Sequence, residues 1–132
     1  MKMNAKLTVA QKEATALIVR MPEFEQFTDE ADFWATLAHE ALHWTGAPNR
    51  LNRVKGKVFG DSDYAVEELI AELGSVMLLA NFGIKPIFDN STYINRWIDV
   101  LKEDYRLIFK IASQAQKAAD MIYSEQALLE NS

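Results

Sequence analysis

The sequence contains no cysteine, and this absence narrows the chemistry that the chain can carry out. Disulfide bonds and thiolate chemistry are excluded, so any bound metal must be held by histidine, aspartate or glutamate. Only two histidines occur, His39 and His43, which makes their placement informative. The lack of disulfides also agrees with a cytoplasmic location.

Long apolar runs and an excess of positive charge are also missing. No stretch is long enough to span a bilayer, and the N-terminus has no apolar run followed by small residues, so we expect no membrane segment and no signal peptide. The net charge of −5 argues against duplex DNA as the main partner, because duplex-binding domains are usually basic. The 132 residues suit a single domain, which we place over residues 1–132.

Apolar residues at helical spacing predict most of the secondary structure. Four helices are expected, although the last two could form one kinked helix. The first helix is expected from Thr28 or Asp29 to Thr45–Gly46, and the second over residues 63–82, ahead of Gly83. The third is expected to start at Asn90 or Ser91, and the fourth at Asp104.

A short strand is predicted ahead of these helices. Residues 16–20 are mostly apolar and partly β-branched, and Pro22 ends the run. An edge strand here could pair with an extended peptide substrate, or it could be purely structural. The fold class is therefore α+β, predominantly helical, with a minor sheet edge.

His39 and His43 lie four residues apart on the first predicted helix, about 40° apart in direction and one turn apart in height. Two imidazoles so placed can bind one zinc ion. Glu40 follows the first histidine and can accept a proton from a zinc-bound water, whose pKa the metal lowers. This is the His-Glu-x-x-His arrangement. Two unrelated helix histidines beside a solvated glutamate are the alternative, but the apolar helix around them favours zinc.

A catalytic zinc needs a third protein ligand, which here must be a carboxylate. The second helix carries Glu67, Glu68 and Glu72, of which Glu68 and Glu72 share a face because they are four residues apart. We predict Glu68 as the ligand, Glu72 as the group that hydrogen-bonds a ligand histidine, and Glu67 as a surface charge. Glu72 and Glu67 remain the alternative ligands.

Three further residues have two interpretations each. Arg50 and Arg53 could hold a substrate carboxylate or a phosphate backbone, or they could belong to a solvated loop. Tyr64 could stabilise an oxyanion near the zinc, or it could pack at the start of its helix.

The order of these motifs resembles the C-terminal metallopeptidase domain of ArdC-type antirestriction proteins. The match covers roughly residues 16–125, and we expect flexible ends at 1–15 and 126–132. The segments that carry the resemblance are Trp34–Gly46, Arg50–Arg53, Phe59–Gly60, Tyr64–Gly74 and Tyr93–Trp97, together with 112–119.

The resemblance implies a zincin-like fold of the glutamate-zincin kind. It implies zinc ligands at His39, His43 and Glu68, and a general base at Glu40. It also implies a plasmid, conjugative-element or phage setting. In that family an N-terminal region that binds single-stranded DNA usually precedes the domain. We expect this chain to lack that region. Any contact with DNA would then need the missing N-terminal region.

We predict a zinc-dependent metallopeptidase in which Glu40 activates a zinc-bound water to attack the carbonyl of a peptide or protein substrate. One alternative is a non-catalytic, zinc-stabilised antirestriction module that binds DNA or a host restriction component. Another is an inert remnant that binds metal weakly or not at all.

Overall fold

The computed structural model describes residues 23–27, 29–53, 62–85 and 90–130. Within these ranges the chain is predominantly helical and contains no strand. A short 3-10 helix at Phe24–Gln26 precedes four α-helices, in the order predicted from the sequence. The helices are α1 (Glu30–Trp44), α2 (Ser62–Ala80), α3 (Asn90–Glu103) and α4 (Leu107–Glu130). The predicted strand at residues 16–20 lies outside the described residues, as does the cap proposed at Thr28.

Helix α1 begins and ends with side chains that satisfy free backbone groups. Asp29 has extended backbone angles, and its carboxylate accepts a hydrogen bond from the Asp32 N–H at 2.7 Å. At the other end, the Thr45 hydroxyl donates to the Leu42 carbonyl at 2.5 Å. These contacts fix the limits of the helix because the first N–H and last C=O groups of a helix lack partners within it.

Helix α2 lies at the centre of the domain, packed against α1, α3 and α4. Gly74 permits this close packing. A Cβ atom at this position would lie 2.4 Å from Leu42 Cδ1 on α1 and 3.2 Å from the Ala115 carbonyl oxygen on α4. Both distances are shorter than ordinary van der Waals contacts, so a side chain at this position would force Leu42 or the α4 backbone to shift.

Two clusters of buried side chains line the faces of α2. The first joins α1, α2 and α4 and is built on Phe33, Trp34, Leu37, Ala38, Ala41, Leu42, Ala71, Leu78, Leu79, Ala118, Ala119 and Ile122. The second joins α2, α3 and α4 and is built on Leu69, Ile70, Val100, Ile111 and Ala115. Because α2 contributes to both, several of its faces are buried; Glu67 is buried, and Glu68 and Glu72 are half-buried.

Helices α3 and α4 are separate elements, not one kinked helix. At the junction, the Asp104 carboxylate accepts hydrogen bonds from the Arg106 N–H at 3.0 Å and from its guanidinium at 2.9 Å. This bonding favours a turn ahead of the new helix. Helix α4 runs on to Glu130, where alanine, leucine and glutamate favour a helix at 127–130, and the flexible end expected at 126–132 stays a prediction. None of the helices described has the length and apolar character needed to cross a membrane.

Candidate metal centre

Three side chains from two helices converge on one point. Nε2 of His39 lies 3.1 Å from Nε2 of His43. The Glu68 carboxylate lies against both histidines, with one oxygen 3.2 Å from His39 Nε2 and the other 3.1 Å from His43 Nε2. In the part of the chain that the structure describes, these three residues form the group of potential ligands able to hold one metal ion.

The spacing of these atoms fits a divalent metal. Zinc binds histidine and carboxylate at about 2.0–2.1 Å in tetrahedral geometry, which sets neighbouring ligand atoms roughly 3.3 Å apart. His39 Nε2 and His43 Nε2 lie 3.1 Å apart, close to this spacing, and one ligand atom from each of the three residues lies within 4.8 Å of the others. Two imidazoles and one carboxylate also form the donor set of catalytic sites that leave a coordination position for water or substrate.

Glu67 is buried beside this centre, contrary to the prediction of a surface charge. Its side chain is 5% exposed, and its Oε2 lies 2.8 Å from His43 Nδ1. The hydrogen bond to a ligand histidine that was predicted for Glu72 is therefore made by Glu67. The prediction failed because helix periodicity shows which residues share a face, whereas the packing around α2 decides which faces are buried.

Arg53 connects this carboxylate to the C-terminus of α1. Its Nε and Nη2 donate to the two Glu67 oxygens at 2.8 and 3.0 Å. Its Nη1 donates to the Thr45 hydroxyl at 2.8 Å, and Nη2 also donates to the Leu42 carbonyl at 2.7 Å. The Arg53 side chain is 4% exposed. Neither sequence interpretation, a substrate contact or a solvated loop residue, describes a guanidinium enclosed by protein groups.

Glu72 lies one turn beyond Glu68 on α2 and is paired with a residue that sequence reasoning missed. Arg96, from α3, donates through Nη1 to Glu72 Oε1, and the same nitrogen lies 3.8 Å from Glu68 Oε2. Arg96 thus places a positive charge beside the metal centre. No local sequence pattern around Arg96 predicts this role. The contact joins residues 24 positions apart, and it depends on how α2 and α3 pack.

The electrostatics of the metal-free centre favour a bound cation. Burial alone would lower the pKa of His43, but hydrogen bonds and charges from Glu67 and Glu68 outweigh it and raise this pKa to about 9. Burial would raise the pKa of Glu68, yet hydrogen bonds from His39 and His43 hold it well below its usual range. The carboxylates of Glu67 and Glu68 thus create a negative potential at the histidines, which suits the binding of a cation.

Two more carboxyl groups adjoin the centre. For Glu67, hydrogen bonds from His43 and Arg53 overcome the effect of burial, so its pKa is lowered and it stays ionised. For Glu72, burial raises the pKa, and the charge of Arg96 offsets this only in part. Glu67 is thus a permanent acceptor for the His43 ring, whereas Glu72 is not similarly stabilised as an anion.

The other predicted site residues lie nearby with different surroundings. Glu40 follows His39 on α1 and is half-buried. Tyr64 is half-buried in the first turn of α2, one turn before Glu68. Arg50 donates through Nε to the Trp44 carbonyl at 2.7 Å, and its guanidinium stacks 3.9 Å above the Trp44 ring. Arg50 thus packs at the end of α1 instead of lying free in a loop.

Comparison with known proteins agrees with this geometry. A family model described as a zincin-like metallopeptidase matches residues 2–114. Antirestriction protein ArdC from the R388 plasmid is similar in its Mn(II)-bound crystal structure, with 47% identity and a TM-score of 0.74 over 86% of this chain. Its metal-free crystal structure gives 48% identity and a TM-score of 0.71 over 86% of this chain. A divalent metal is thus supported.

Two curated relatives are similar in sequence. One is the uncharacterised protein y4eC of Sinorhizobium fredii, 40% identical over 83% of this chain, and the other is DNA primase TraC of Escherichia coli, 38% identical over 79%. The chain spans 36% of y4eC, 10% of TraC, and 43% and 42% of the two ArdC chains, so the similarity concerns one part of larger proteins. By the family match and the site geometry, the chain belongs to the zincin-like metallopeptidase family.

Proposed function

We propose that this domain is a zinc-dependent peptidase acting on a peptide or protein substrate. One observation carries the proposal: His39 and His43 on α1 and Glu68 on α2 bring one ligand atom each within 4.8 Å of one another, and Glu40 is the residue that follows His39 on α1. The family match supports the same chemistry. Zinc is the metal that we propose, because two imidazoles and a carboxylate are a common donor set for catalytic zinc.

Each residue then has a defined part in hydrolysis. His39, His43 and Glu68 would hold the ion, which when bound polarises a carbonyl oxygen and acidifies a water. The Glu40 carboxylate accepts the proton as the water attacks the carbonyl carbon, and it returns this proton to the amine that leaves. Arg96 and Tyr64 are the two groups that we propose to stabilise negative charge on the carbonyl oxygen.

The relatives suggest the biological setting. ArdC is an antirestriction protein of a plasmid, and TraC is a DNA primase. We propose that this domain likewise serves a mobile genetic element in the cytoplasm, joined in function to a region that contacts DNA. The domain itself is acidic, with a net charge of −5, so DNA binding is assigned to such a region.

A non-catalytic antirestriction module is the second candidate, and the likeness to ArdC is what favours it. In that case the metal would stabilise the domain, which would bind DNA or a host restriction component without cleaving it. Gel-shift titrations at two salt concentrations would reveal DNA binding. A module of this kind would retain one metal ion and show no hydrolysis of any peptide in a diverse library.

The peptidase proposal is tested by replacing Glu40 with glutamine. Removing the general base should lower the rate of peptide cleavage by about 10²–10⁴-fold while leaving the bound metal in place. Cleavage of a peptide library would be followed by mass spectrometry, with metal content measured on the same samples. Glu30→Gln, three turns earlier on the same helix, is the matched control and should cleave like the parent. Unchanged cleavage by Glu40→Gln would refute the proposed role of Glu40.

A further inference from the structure

The Arg53 guanidinium contacts groups on both sides of His43. It donates to both oxygens of Glu67, at 2.8 and 3.0 Å, and Glu67 Oε2 in turn lies 2.8 Å from His43 Nδ1. The same guanidinium donates to the carbonyl of Leu42, the residue just before His43, at 2.7 Å. One arginine therefore holds both the helical turn that carries His43 and the carboxylate that meets its ring.

This contact determines which ring nitrogen of His43 faces the metal centre. An ionised carboxylate can only accept hydrogen bonds, so Nδ1 of His43 must carry the proton that is donated to Glu67. Nε2 is then the nitrogen that faces His39 Nε2 and Glu68 Oε1, each at 3.1 Å. A metal ligand needs its free lone pair at this nitrogen, and hydrogen bonding at the other nitrogen sets the required tautomer.

We propose that Arg53 and Glu67 form a positioning pair for His43: Glu67 fixes the Nδ1 proton and the ring orientation, and Arg53 fixes Glu67. The inference rests on the proposed function only in taking His43 as a metal ligand. The turn after α1, through Arg53, would then control how tightly the centre binds its metal ion.

The burial of the pair supports a role beyond stability. The side chains of Arg53 and Glu67 are 4% and 5% exposed. A buried ion pair is often no more stabilising than apolar residues of similar volume, because both charges lose their hydration. A pair of this kind is therefore poorly explained by stability alone, and its direct contact with the His43 ring supplies a function for it.

The first test is the dissociation constant for Zn²⁺, measured by competition with a chromophoric chelator. Glu67→Gln and Arg53→Met should each raise this constant about 10–100-fold, the usual effect of losing a partner of a ligand histidine. Arg50→Met is the matched control, because Arg50 lies in the same turn and stacks on Trp44. It should bind Zn²⁺ like the parent. If Arg53→Met does not fold, the double variant Arg53→Met/Glu67→Gln replaces it, since this leaves no unpaired buried charge.

A second readout separates positioning from general stability. The Nδ1 proton of His43 should give a slowly exchanging, downfield NMR signal in the parent, with or without Zn²⁺, because Glu67 accepts it. Glu67→Gln should shift this signal upfield and speed its exchange, while Arg50→Met should leave it unchanged. Equal Zn²⁺ affinity and an unchanged signal in the Glu67 variant would overturn the inference. If the parent bound no metal, the proposed function would fail, and the NMR signal would still decide whether Glu67 positions His43.

Discussion

A single buried ion pair, Arg53 with Glu67, joins three parts of the domain. It links the turn after α1 to α2 and, through the Leu42 carbonyl and the Thr45 hydroxyl, to the end of α1 itself. With almost no solvent at either charge, each partner depends on the other to offset its lost hydration. At the scale of single residues, loss of Arg53 would leave Glu67 buried with His43 as its remaining charged partner, and loss of Glu67 would leave the Arg53 charge buried without a carboxylate.

Arg53→Met should therefore destabilise the metal-free protein, by less than the about 3–5 kcal/mol typical of a wholly unpaired buried charge, because His43 still pairs with Glu67. Arg53→Met/Glu67→Gln should recover part of this loss because neither remaining side chain is charged. Urea unfolding followed by circular dichroism would measure both values. A single variant as stable as the parent, or a double variant less stable than the single one, would contradict this description of the pair.

Several residues of the metal centre could be identified from the sequence, and others could not. The spacing of His39 and His43, and the lack of other histidines or cysteines, led directly to a carboxylate on the next helix. The assignments of Glu67 and Glu72 were wrong because both choices depend on how α2 is surrounded. The partners Arg53 and Arg96 lie 14 and 24 positions from the glutamates that they contact, and no local pattern predicts such pairs.

At the scale of elements, the close approach of α2 to its neighbours places Glu68 against the histidines. Gly74 makes this approach possible, because a Cβ atom there would meet Leu42 on α1 and the Ala115 carbonyl on α4. Leu42 precedes His43 by one residue, so a shift of α2 at this contact would also move the metal centre. The helix limits followed from capping residues and periodicity, whereas this close contact is a property of the packed domain.

Gly74→Ala should lower the stability of the domain, although alanine normally favours a helix by about 1 kcal/mol over glycine. Overpacking of a core costs about 1–3 kcal/mol, and the Leu42 side chain that the new methyl group would meet is fully buried. We expect a net loss of roughly 1 kcal/mol, measured as a lower urea midpoint. Ser113→Ala, on an exposed face of α4, is the control and should be neutral or slightly stabilising. A stabilised Gly74→Ala would disprove the close contact.

At the scale of the whole molecule, the metal centre joins two helices of the packed domain, with His39 and His43 on α1 and Glu68 on α2. The ligand atoms of His39, His43 and Glu68 lie within 4.8 Å of one another; Glu67 contacts His43, Arg53 pairs with Glu67, and Arg96 lies beside Glu68. The similar protein ArdC has been crystallised both with Mn(II) and without metal, and this chain resembles both forms, with TM-scores of 0.74 and 0.71. The central claim is that these three side chains together bind one divalent metal ion per chain.

The number of metal ions bound per chain tests this central claim most directly. After incubation with Zn²⁺ and removal of the excess, elemental analysis should find one equivalent on the parent protein and on Glu72→Gln. Glu68→Gln should lose this equivalent because it replaces the only carboxylate in the group of three ligands. The two variants make the same chemical change one turn apart on α2. Retention of one equivalent by Glu68→Gln, or its loss from Glu72→Gln, would contradict the assigned centre.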